Sequence, residues 1–237
     1  MKRFFTFLLS FFFAGCNSAS KHIISKIPEA SDISYCTNTK TLVVANDEGK
    51  FYEITVNGKI LSENYLGKYD LEGVVCEEER FVFAVETGYI LTVDRHTLNQ
   101  NLIPIKNIEN ISKKHGIEGI AKIGNDYIIS IQSHNKDDAK LTILSLFDNE
   151  AIIKSTISHG IIDSSGMDYK DDILYIVSDK KDKLYIYDLK NNEILQKADL
   201  PAIATEGVAL DDEGNIFFAD DSGAVLKYKL KELTLHN

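Results

Sequence analysis

Glu118-Gly119-Ile120 opens a short strand-like stretch near the middle of the 237-residue chain, and four related tripeptides open similar stretches elsewhere. These tripeptides, which we call anchors, are Ser31-Asp32-Ile33, Glu72-Gly73-Val74, Ser165-Gly166-Met167 and Glu206-Gly207-Val208. Neighbouring anchors begin 41 to 47 residues apart. A repeat of this length with almost entirely strand-like content is typical of the blades of a β-propeller.

Each anchor is followed by a second, more apolar strand that ends at two polar residues, the first of them 13 to 15 positions after the anchor begins. The five polar pairs are Asn46-Asp47, Glu86-Thr87, Gln132-Ser133, Ser178-Asp179 and Asp220-Asp221. Third strands follow and alternate with period two, as in Leu184–Tyr187, which suits a half-buried strand. Weaker fourth strands follow in four repeats, but the last repeat has none.

We therefore predict an all-β fold, a five-bladed β-propeller of four-stranded blades, as one domain over residues 22–237. The segment His22–Ile27 precedes the first anchor and has no repeat of its own. We expect it to supply the missing outer strand of the last blade and so to close the ring, which also protects sheet edges. Helix is nearly absent, and we expect a loop or a single turn at Asn107–His115.

The first residues resemble an export signal. Met1-Lys2-Arg3 is a basic start, and the apolar run Phe4–Phe13 is too short to span a bilayer but suits the core of a signal peptide. The run ends at Phe13-Ala14-Gly15-Cys16, which resembles the lipobox of bacterial lipoproteins. The resemblance implies a signal peptide over residues 1–15, acylation of Cys16 and a tether over residues 16–21. The alternative is an ordinary secretory signal with an unrelated cysteine.

Charge and cysteines narrow the class of protein further. A net charge of −10 argues against a nucleic-acid partner, because a phosphate backbone attracts basic surfaces. No polybasic patch is present, so we expect the lipid anchor to hold the domain in the bacterial cell envelope, in the periplasm or at the cell surface. Asn17 after the cysteine favours the outer membrane. Cys36 and Cys76 lie in apolar first strands of adjacent blades, and we favour two buried free thiols over a disulfide.

Hairpin geometry predicts where the polar residues meet. In an antiparallel hairpin the start of one strand lies beside the end of the next, so each anchor lies near the polar pair of its own blade, close to the ring axis. We call this end of the ring the mouth. The expected ligand-binding side chains there are Ser31, Asp47, Glu86, Gln132, Ser165, Asp179 and Asp220. The expected metal ligands are Glu72, Glu118 and Glu206.

Several carboxylates in a confined mouth cannot all stay ionised and unpaired without cost. Protons, backbone amide donors or a bound cation each remove that cost. Oxygen-only ligands favour a hard cation, and the flexible coordination of Ca²⁺ places it ahead of Mg²⁺. The alternative is that each glutamate caps backbone amides of the neighbouring blade and locks the ring, and the sequence leaves both open.

The histidines and the enzyme motifs give no catalytic signal. His115, His134 and His159 lie near anchors or polar pairs, but their spacing matches no zinc site. The sequence has no Gly-x-Ser-x-Gly motif, no phosphate-binding glycine loop and no catalytic cysteine context.

Three stretches carry a resemblance to a known family: Glu29–Tyr35, Val43–Gly49 and Tyr69–Val74. They resemble the SdiA-regulated family of bacterial envelope proteins, a β-propeller group without a settled activity, and the likeness covers Ile23 to Leu230. That family usually has glycine where this chain has Asp32. The fifth repeat also resembles NHL-type repeats and, more faintly, the gluconolactonase-like propellers, which usually have six blades. In those enzymes a strand-opening glutamate binds a catalytic divalent metal, and the matching positions here are Glu72, Glu118 and Glu206.

Two functions stay open. We favour a non-enzymatic, lipid-anchored binding propeller whose acidic mouth, with Ca²⁺ as its expected cation, binds a small ligand or an envelope protein. The alternative is a metal-dependent hydrolase, either a lactonase or a phytase-like phosphoesterase. Phosphate substrates would require several bound cations, because Lys180 and Lys181 are the only obvious basic pair near the mouth. In a third hypothesis the mouth is inert and the outer surface binds protein.

Overall fold

A computed structural model describes residues 21–108, 111–112, 115–201 and 204–237 of the protein. The predicted export signal, Cys16 and nearly all of the predicted tether lie outside these residues, and so do four residues of the segment predicted as a loop or turn, Asn107–His115. Within the described residues, no helix is long and apolar enough to cross a membrane.

The described residues form 21 β-strands and two short 3-10 turns, Asp179–Lys181 and Leu230–Glu232. The first ten strands are β1 Ile23–Ser25, β2 Ala30–Cys36, β3 Thr41–Asn46, β4 Lys50–Thr55, β5 Ile60–Tyr65, β6 Leu71–Cys76, β7 Arg80–Val85, β8 Tyr89–Asp94, β9 Gln100–Lys106 and β10 Ile117–Ile123. The other strands are β11 Asp126–Ile131, β12 Lys140–Leu146, β13 Ala151–Ser158, β14 Ser164–Lys170, β15 Ile173–Ser178, β16 Lys183–Asp188, β17 Glu193–Asp199, β18 Thr205–Leu210, β19 Asn215–Asp220, β20 Ala224–Lys229 and β21 Leu235–His236.

The strands pair into five antiparallel units, each entered at an anchor. Units I to IV are β2–β5, β6–β9, β10–β13 and β14–β17, and unit V is β18–β20 with β1 on its outer edge. Ile23 of β1 pairs with Leu226 of β20, so the segment before the first anchor does join the last unit as predicted. Two pairings were not expected from the sequence. A short parallel contact joins β9 to β13, and β21 covers the outer edge of β17.

Burial follows the position of each strand within its unit. Every residue of β3 and β19 is buried, whereas β5 alternates between exposed and half-buried residues. The apolar clusters lie between neighbouring units. Phe51 of unit I, for example, packs on Phe81 and Phe83 of unit II with ring centroids 5.0 and 5.5 Å apart. Because burying one such side chain contributes about 2 kcal/mol, these clusters hold the units side by side.

The innermost strands approach so closely that the anchors of units II to V require glycine. A Cβ atom added to Gly207 would lie 2.6 Å from the Cα atom of Asp32, and one added to Gly119 would overlap the carbonyl oxygen of Ser165. Since Gly207 belongs to unit V and Asp32 to unit I, the last unit packs directly against the first.

The prediction of two free thiols is wrong, because Cys36 and Cys76 form a disulfide with a Cα–Cα distance of 5.2 Å. Both cysteines end the first strand of their units, and these strands lie side by side at the end of the ring opposite the mouth. Their equivalent positions in adjacent repeats place the two sulfur atoms within bonding range. The apolar context that suggested free thiols does not exclude a bridge between two buried strands.

Candidate functional site

The strand register brings each anchor beside the polar pair of its own unit, as hairpin geometry predicted. Ala30 pairs with Asn46, Ser164 with Ser178 and Thr205 with Asp220. In all five units, the hairpin of the first two strands has a bulge in the anchor strand, at the anchor. The bulge shifts the register by one residue and re-aims the anchor side chain.

Three carboxylates from three neighbouring units converge at the mouth. One oxygen atom each of Asp47, Glu72 and Glu206 lies within 4.8 Å of the other two, and all three residues are half-buried. Asp47, which the sequence assigned to ligand binding, belongs to this group. Glu118, which the sequence assigned to metal binding, does not, although its charge acts on both Glu72 and Glu206.

Burial and mutual repulsion shift these carboxyls toward their protonated forms. Burial raises the pKa of Glu206 to about 9, with further contributions from Asp221 and Asp47. Burial likewise raises the pKa of Glu118 to about 8 and that of Asp47 to about 7. Burial, followed by the charges of Glu118 and Asp47, raises the pKa of Glu72 above those of the others. Among the described residues no salt bridge reaches any of the four, so protons, backbone donors or an external cation would have to offset their charge.

Asp47 also holds an oxygen atom that lacks a partner. Its Oδ1 is buried and has no hydrogen bond within the described part of the chain, although the backbone N–H of Asp47 donates to the Glu29 carbonyl at 3.3 Å. A buried carboxylate oxygen without a donor is costly, because it has lost water and gained nothing in exchange. A cation held jointly with Glu72 and Glu206 would offset the charge of this carboxylate.

Several predicted ligand residues have their hydrogen bonds inside the fold. Ser31 Oγ donates to the Leu71 carbonyl of the next unit, and Ser165 Oγ donates to the Val177 carbonyl at 3.5 Å. Asp220 Oδ1 accepts from the backbone N–H of Ser222 at 2.9 Å and from its hydroxyl at 2.7 Å. Ser31 and Ser165 thus secure the anchors, and Asp220 shapes a turn.

The remaining predicted residues lie around the three carboxylates. The Glu86 side chain covers Gly116, where an added Cβ would lie 3.1 Å from Oε1, and its charge acts on Glu118. Burial, and then the charge of Asp163, raises the pKa of Asp179, which in turn acts on Glu206. The backbone N–H of Gln132 donates to the Gly116 carbonyl at 2.9 Å. The charges of Glu86 and Asp179 therefore act on the carboxyls of the mouth.

The sequence analysis missed a functional candidate at Asp32. This side chain is fully buried, its Oδ2 accepts from the Val74 backbone N–H at 2.8 Å, and its Oδ1 has no partner among the described residues. An added Cβ at Gly166, in unit IV, would lie 2.7 Å from Oδ1, so the carboxyl reaches across the ring axis. Burial raises the pKa of Asp32 well above its usual range. Aspartate at a position where four other anchors have glycine was the available signal.

Among the described residues, no histidine belongs to the group of three carboxylates. His159 is buried, and burial lowers its pKa to about 4, so it is neutral at physiological pH. Its ring lies edge-on to Tyr187, and its Nδ1 accepts from the Ile161 backbone N–H at 3.4 Å. His115 and His134 lie near the mouth with ring centroids 6.0 Å apart, and His115 Nδ1 is 3.5 Å from the Gln132 carbonyl oxygen.

Comparison with known proteins agrees with this fold. The sequence model of the SdiA-regulated family matches residues 18–222. The glutaminyl cyclase of Myxococcus xanthus is structurally similar, with a TM-score of 0.67 at 12% identity over 90% of this chain and 95% of that one. The β-propeller domain of Cps50 (Swd1) from Myceliophteria thermophila gives a TM-score of 0.50 at 8% identity over 89% of this chain and 72% of that one. At these identities the likeness shows the all-β, propeller-like fold alone. No curated protein sequence matches the chain.

Proposed function

The chain belongs to the SdiA-regulated family, and we propose that it is a lipid-anchored binding propeller that holds a hard cation, Ca²⁺ first, in its mouth. In this proposal the five units are five blades, and β1 closes the ring as the outer strand of the fifth. The cation and the surrounding polar side chains form a binding site for a small ligand or an envelope protein. The pairing of β1 with β20 and the close contact of Gly207 with Asp32 support the closed ring.

The observation that carries the proposal is the group formed by Asp47, Glu72 and Glu206. Ca²⁺ takes oxygen ligands at about 2.3–2.6 Å, so two ligands on opposite sides of the ion are about 5 Å apart. Oxygen atoms within 4.8 Å of one another can therefore share one ion. Repulsion among these carboxylates adds to the effect of burial in raising the pKa of Glu206, and a bound cation would relieve it.

Export to the envelope has support from the fold as well as from the N-terminus. The Cys36–Cys76 disulfide joins strands that are distant in sequence, and such bridges persist mainly in oxidising compartments. This agrees with the signal-like run Phe4–Phe13 and with Cys16 as the acylated residue. We place the domain in the periplasm or at the cell surface, on the outer membrane.

Thermal unfolding of the chain from Ser18 onward, after exhaustive chelation and with Ca²⁺, Mg²⁺ or Mn²⁺ added back, tests the cation site. An ion at about 100 times its dissociation constant adds roughly 2.7 kcal/mol to the free energy of unfolding. We expect a calcium-specific rise in Tm that Glu72→Gln abolishes. Glu63→Gln is the matched control, because Glu63 lies on the outer strand β5 with half of its side chain exposed. Unchanged unfolding with every ion would contradict the proposal.

The alternative is a metal-dependent hydrolase, a lactonase or a phytase-like phosphoesterase, that uses the same carboxylates. The glutaminyl cyclase neighbour is compatible with it, since that protein is an enzyme with a similar fold. A panel of lactones and phosphoesters, with and without divalent metal, separates the two functions. We expect no turnover, because the sequence carries neither a nucleophile motif nor a zinc-binding histidine spacing. Metal-dependent turnover that Glu118→Gln removes would favour the enzyme.

A further inference from the structure

The end of the ring opposite the mouth, which we call the far end, is where the chain leaves toward the tether. His22 stacks on Tyr228 with ring centroids 3.9 Å apart, and its Nδ1 lies 3.1 Å from the Lys227 carbonyl oxygen. Strand β20 runs from Ala224 at the mouth to Lys229 at the far end, so His22 lies in the far half. Five residue steps separate Cys16 from Lys21, which a fully extended chain spans in about 18 Å.

This short reach restricts how the domain can sit on a membrane. A strand of six residues is about 20 Å long, so the mouth is separated from the tether by about the height of the ring. An acylated Cys16 therefore keeps the far end closer to the lipid than the mouth.

Exposed apolar side chains are concentrated at the same far end. Of the eleven large apolar residues with exposed side chains in the described part of the chain, seven lie in or next to the far-end turns between the third and fourth strands of units I to IV: Ile60, Leu61, Leu98, Phe147, Ile152, Ile194 and Leu195. We call these seven residues the far rim. Ile23 and Leu102 lie near mid-strand, and the two at the mouth end are tyrosines, Tyr65 and Tyr89. The far rim thus recurs at one structural position in four units.

The far rim begins beside the point where the tether enters. The turn before β5 packs on β1, because a Cβ added to Gly58 would overlap the carbonyl oxygen of Ile24. Ile60 lies directly opposite Ile54, which is in one buried cluster with Ile24. Ile60 and Leu61, exposed by 45% and 50%, therefore lie at the seam of units V and I, close to β1.

From these observations we propose that the far rim rests on the lipid surface to which Cys16 is anchored, so that the mouth faces away from the membrane. The proposal rests on the proposed lipid anchor. Apolar side chains at the edge of a surface bind the boundary between headgroups and acyl chains, and a nearby anchor raises their local concentration there. A cation bound at the mouth would then be open to ligands or partners from the aqueous side.

Fluorescence quenching by brominated lipids tests the orientation. Full-length acylated protein is reconstituted in vesicles of phosphatidylethanolamine and phosphatidylglycerol, with an environment-sensitive fluorophore on Leu61→Cys or Tyr65→Cys. Both positions lie on β5, with side chains exposed by 50% and 59%, so they differ mainly in height. Four residues of strand separate them by about 13 Å, nearly half the thickness of the hydrocarbon core, and we expect quenching about threefold stronger at residue 61. Phe147→Cys, on unit III, should also be quenched if the whole rim touches lipid.

Each outcome decides a different claim. Equal quenching at residues 61 and 65, or no quenching at either while mass spectrometry shows acylated Cys16, overturns the orientation and leaves the anchor standing. Quenching at residue 61 without quenching at residue 147 would show that only the part of the far rim near the tether contacts lipid, and it would overturn the claim that the whole far rim does. Absence of acylation at Cys16 overturns the proposed anchor and the orientation together.

Discussion

The two ends of the propeller-like fold shift the pKa values of half-buried glutamates in opposite directions. At the far end, Glu77 accepts hydrogen bonds from Lys122 Nζ at 2.5 Å, from the Tyr127 hydroxyl at 2.5 Å and from Arg80 Nε at 2.7 Å. Burial acts to raise the pKa of Glu77, but these three donors lower it below its usual value. At the mouth, burial and neighbouring carboxylates raise the pKa of Glu206 to about 9. The difference shows that partners, rather than burial, decide whether a glutamate stays charged.

The two ends also differ in what holds the units together. Arg95 donates to Glu53 Oε1 at 3.1 Å and to the Glu77 carbonyl at 3.3 Å, and it covers the Phe81 ring at 4.9 Å. These contacts, together with the disulfide, fasten units I to III at the far end. The mouth has no comparable set of ion pairs among the described residues. The far end is therefore held together by paired charges and the disulfide, whereas the mouth carries carboxyls whose pKa values are raised.

Breaking the disulfide should give the largest effect. Cys36 and Cys76 are 40 residues apart, and closing a loop of that length stabilises a fold by about 4 kcal/mol in the chain-entropy model. We expect the variant with both Cys36→Ser and Cys76→Ser to lose about 10 °C in Tm, since each kcal/mol corresponds to about 2–4 °C in a chain of this size. Reductant should lower the Tm of the parent protein similarly and leave the variant unchanged. A parent Tm insensitive to complete reduction would show that the strands hold without the bridge.

Removing Glu77, the glutamate with three donors at the far end, should give the second-largest loss of stability. Glu77→Ala leaves Tyr127 and two cationic side chains without their acceptor, and we expect a loss of about 2 kcal/mol at pH 7 because only the Glu77 side chain is well buried. The lowered pKa of Glu77 means that its stabilising effect is present above the unfolded pKa and disappears as the pH falls through the folded pKa. Chemical unfolding at pH 7 and pH 3 checks both statements. Glu79→Ala, with the side chain three-quarters exposed, is the control and should change little.

The mouth should show the reverse dependence on pH. The folded pKa values of Glu206, Glu118 and Asp47 are raised to about 9, 8 and 7, so the folded state holds more protons than the unfolded state at neutral pH. The free energy of unfolding of the metal-free protein should therefore fall as the pH rises from 5 to 9. We expect Glu206→Gln to reduce this fall and to raise stability at pH 8 by about 1 kcal/mol, with little effect at pH 5. Saturating Ca²⁺ should reduce the fall in the parent protein; a flat profile without metal would show that other donors already pair the carboxyls.

Much of the fold followed from the sequence because the repeat is regular. The anchors, the polar pairs and the period-two third strands predicted nearly every strand of units I to IV. The extra strand β21 was missed because Leu235–His236 is too short to carry a pattern and is fixed by its contact with Lys197 and Ala198. The disulfide was missed for a different reason. The position of each cysteine in its repeat was known, but its apolar surroundings were given more weight than the adjacency of the two strands.

The site was less predictable than the fold, because side-chain direction depends on local register. A bulge lies at every anchor, but the sequence pattern does not show how closely the side chains of different units approach one another. Hence the structure groups Asp47 with Glu72 and Glu206, where the sequence had assigned Asp47 to ligand binding and Glu118 to the metal. Ser31 and Ser165 were placed at the mouth from the repeat alone, although their hydroxyls bond to backbone carbonyls.

We expect the smallest change in the free energy of unfolding for Asp32→Asn. This variant tests whether the buried Asp32 carboxyl is neutral, as the raised pKa values of the mouth carboxyls suggest for those groups. One oxygen of Asp32 accepts from Val74 N–H, the other has no partner in the part of the chain that the structure describes, and burial raises the pKa of Asp32. Asparagine keeps the acceptor for Val74 without adding charge, so we expect a change within about 0.5 kcal/mol at pH 7. Asp32→Gly, which copies the other four anchors, should instead cost about 1–2 kcal/mol, because it empties the space beside Gly166 and loses the bond to Val74. If Asp32→Asn destabilised the protein as much as Asp32→Gly, Asp32 would be ionised and paired in the folded state, as Glu77 is at the far end. Raised carboxyl pKa values would then be confined to the mouth and would not extend along the axis.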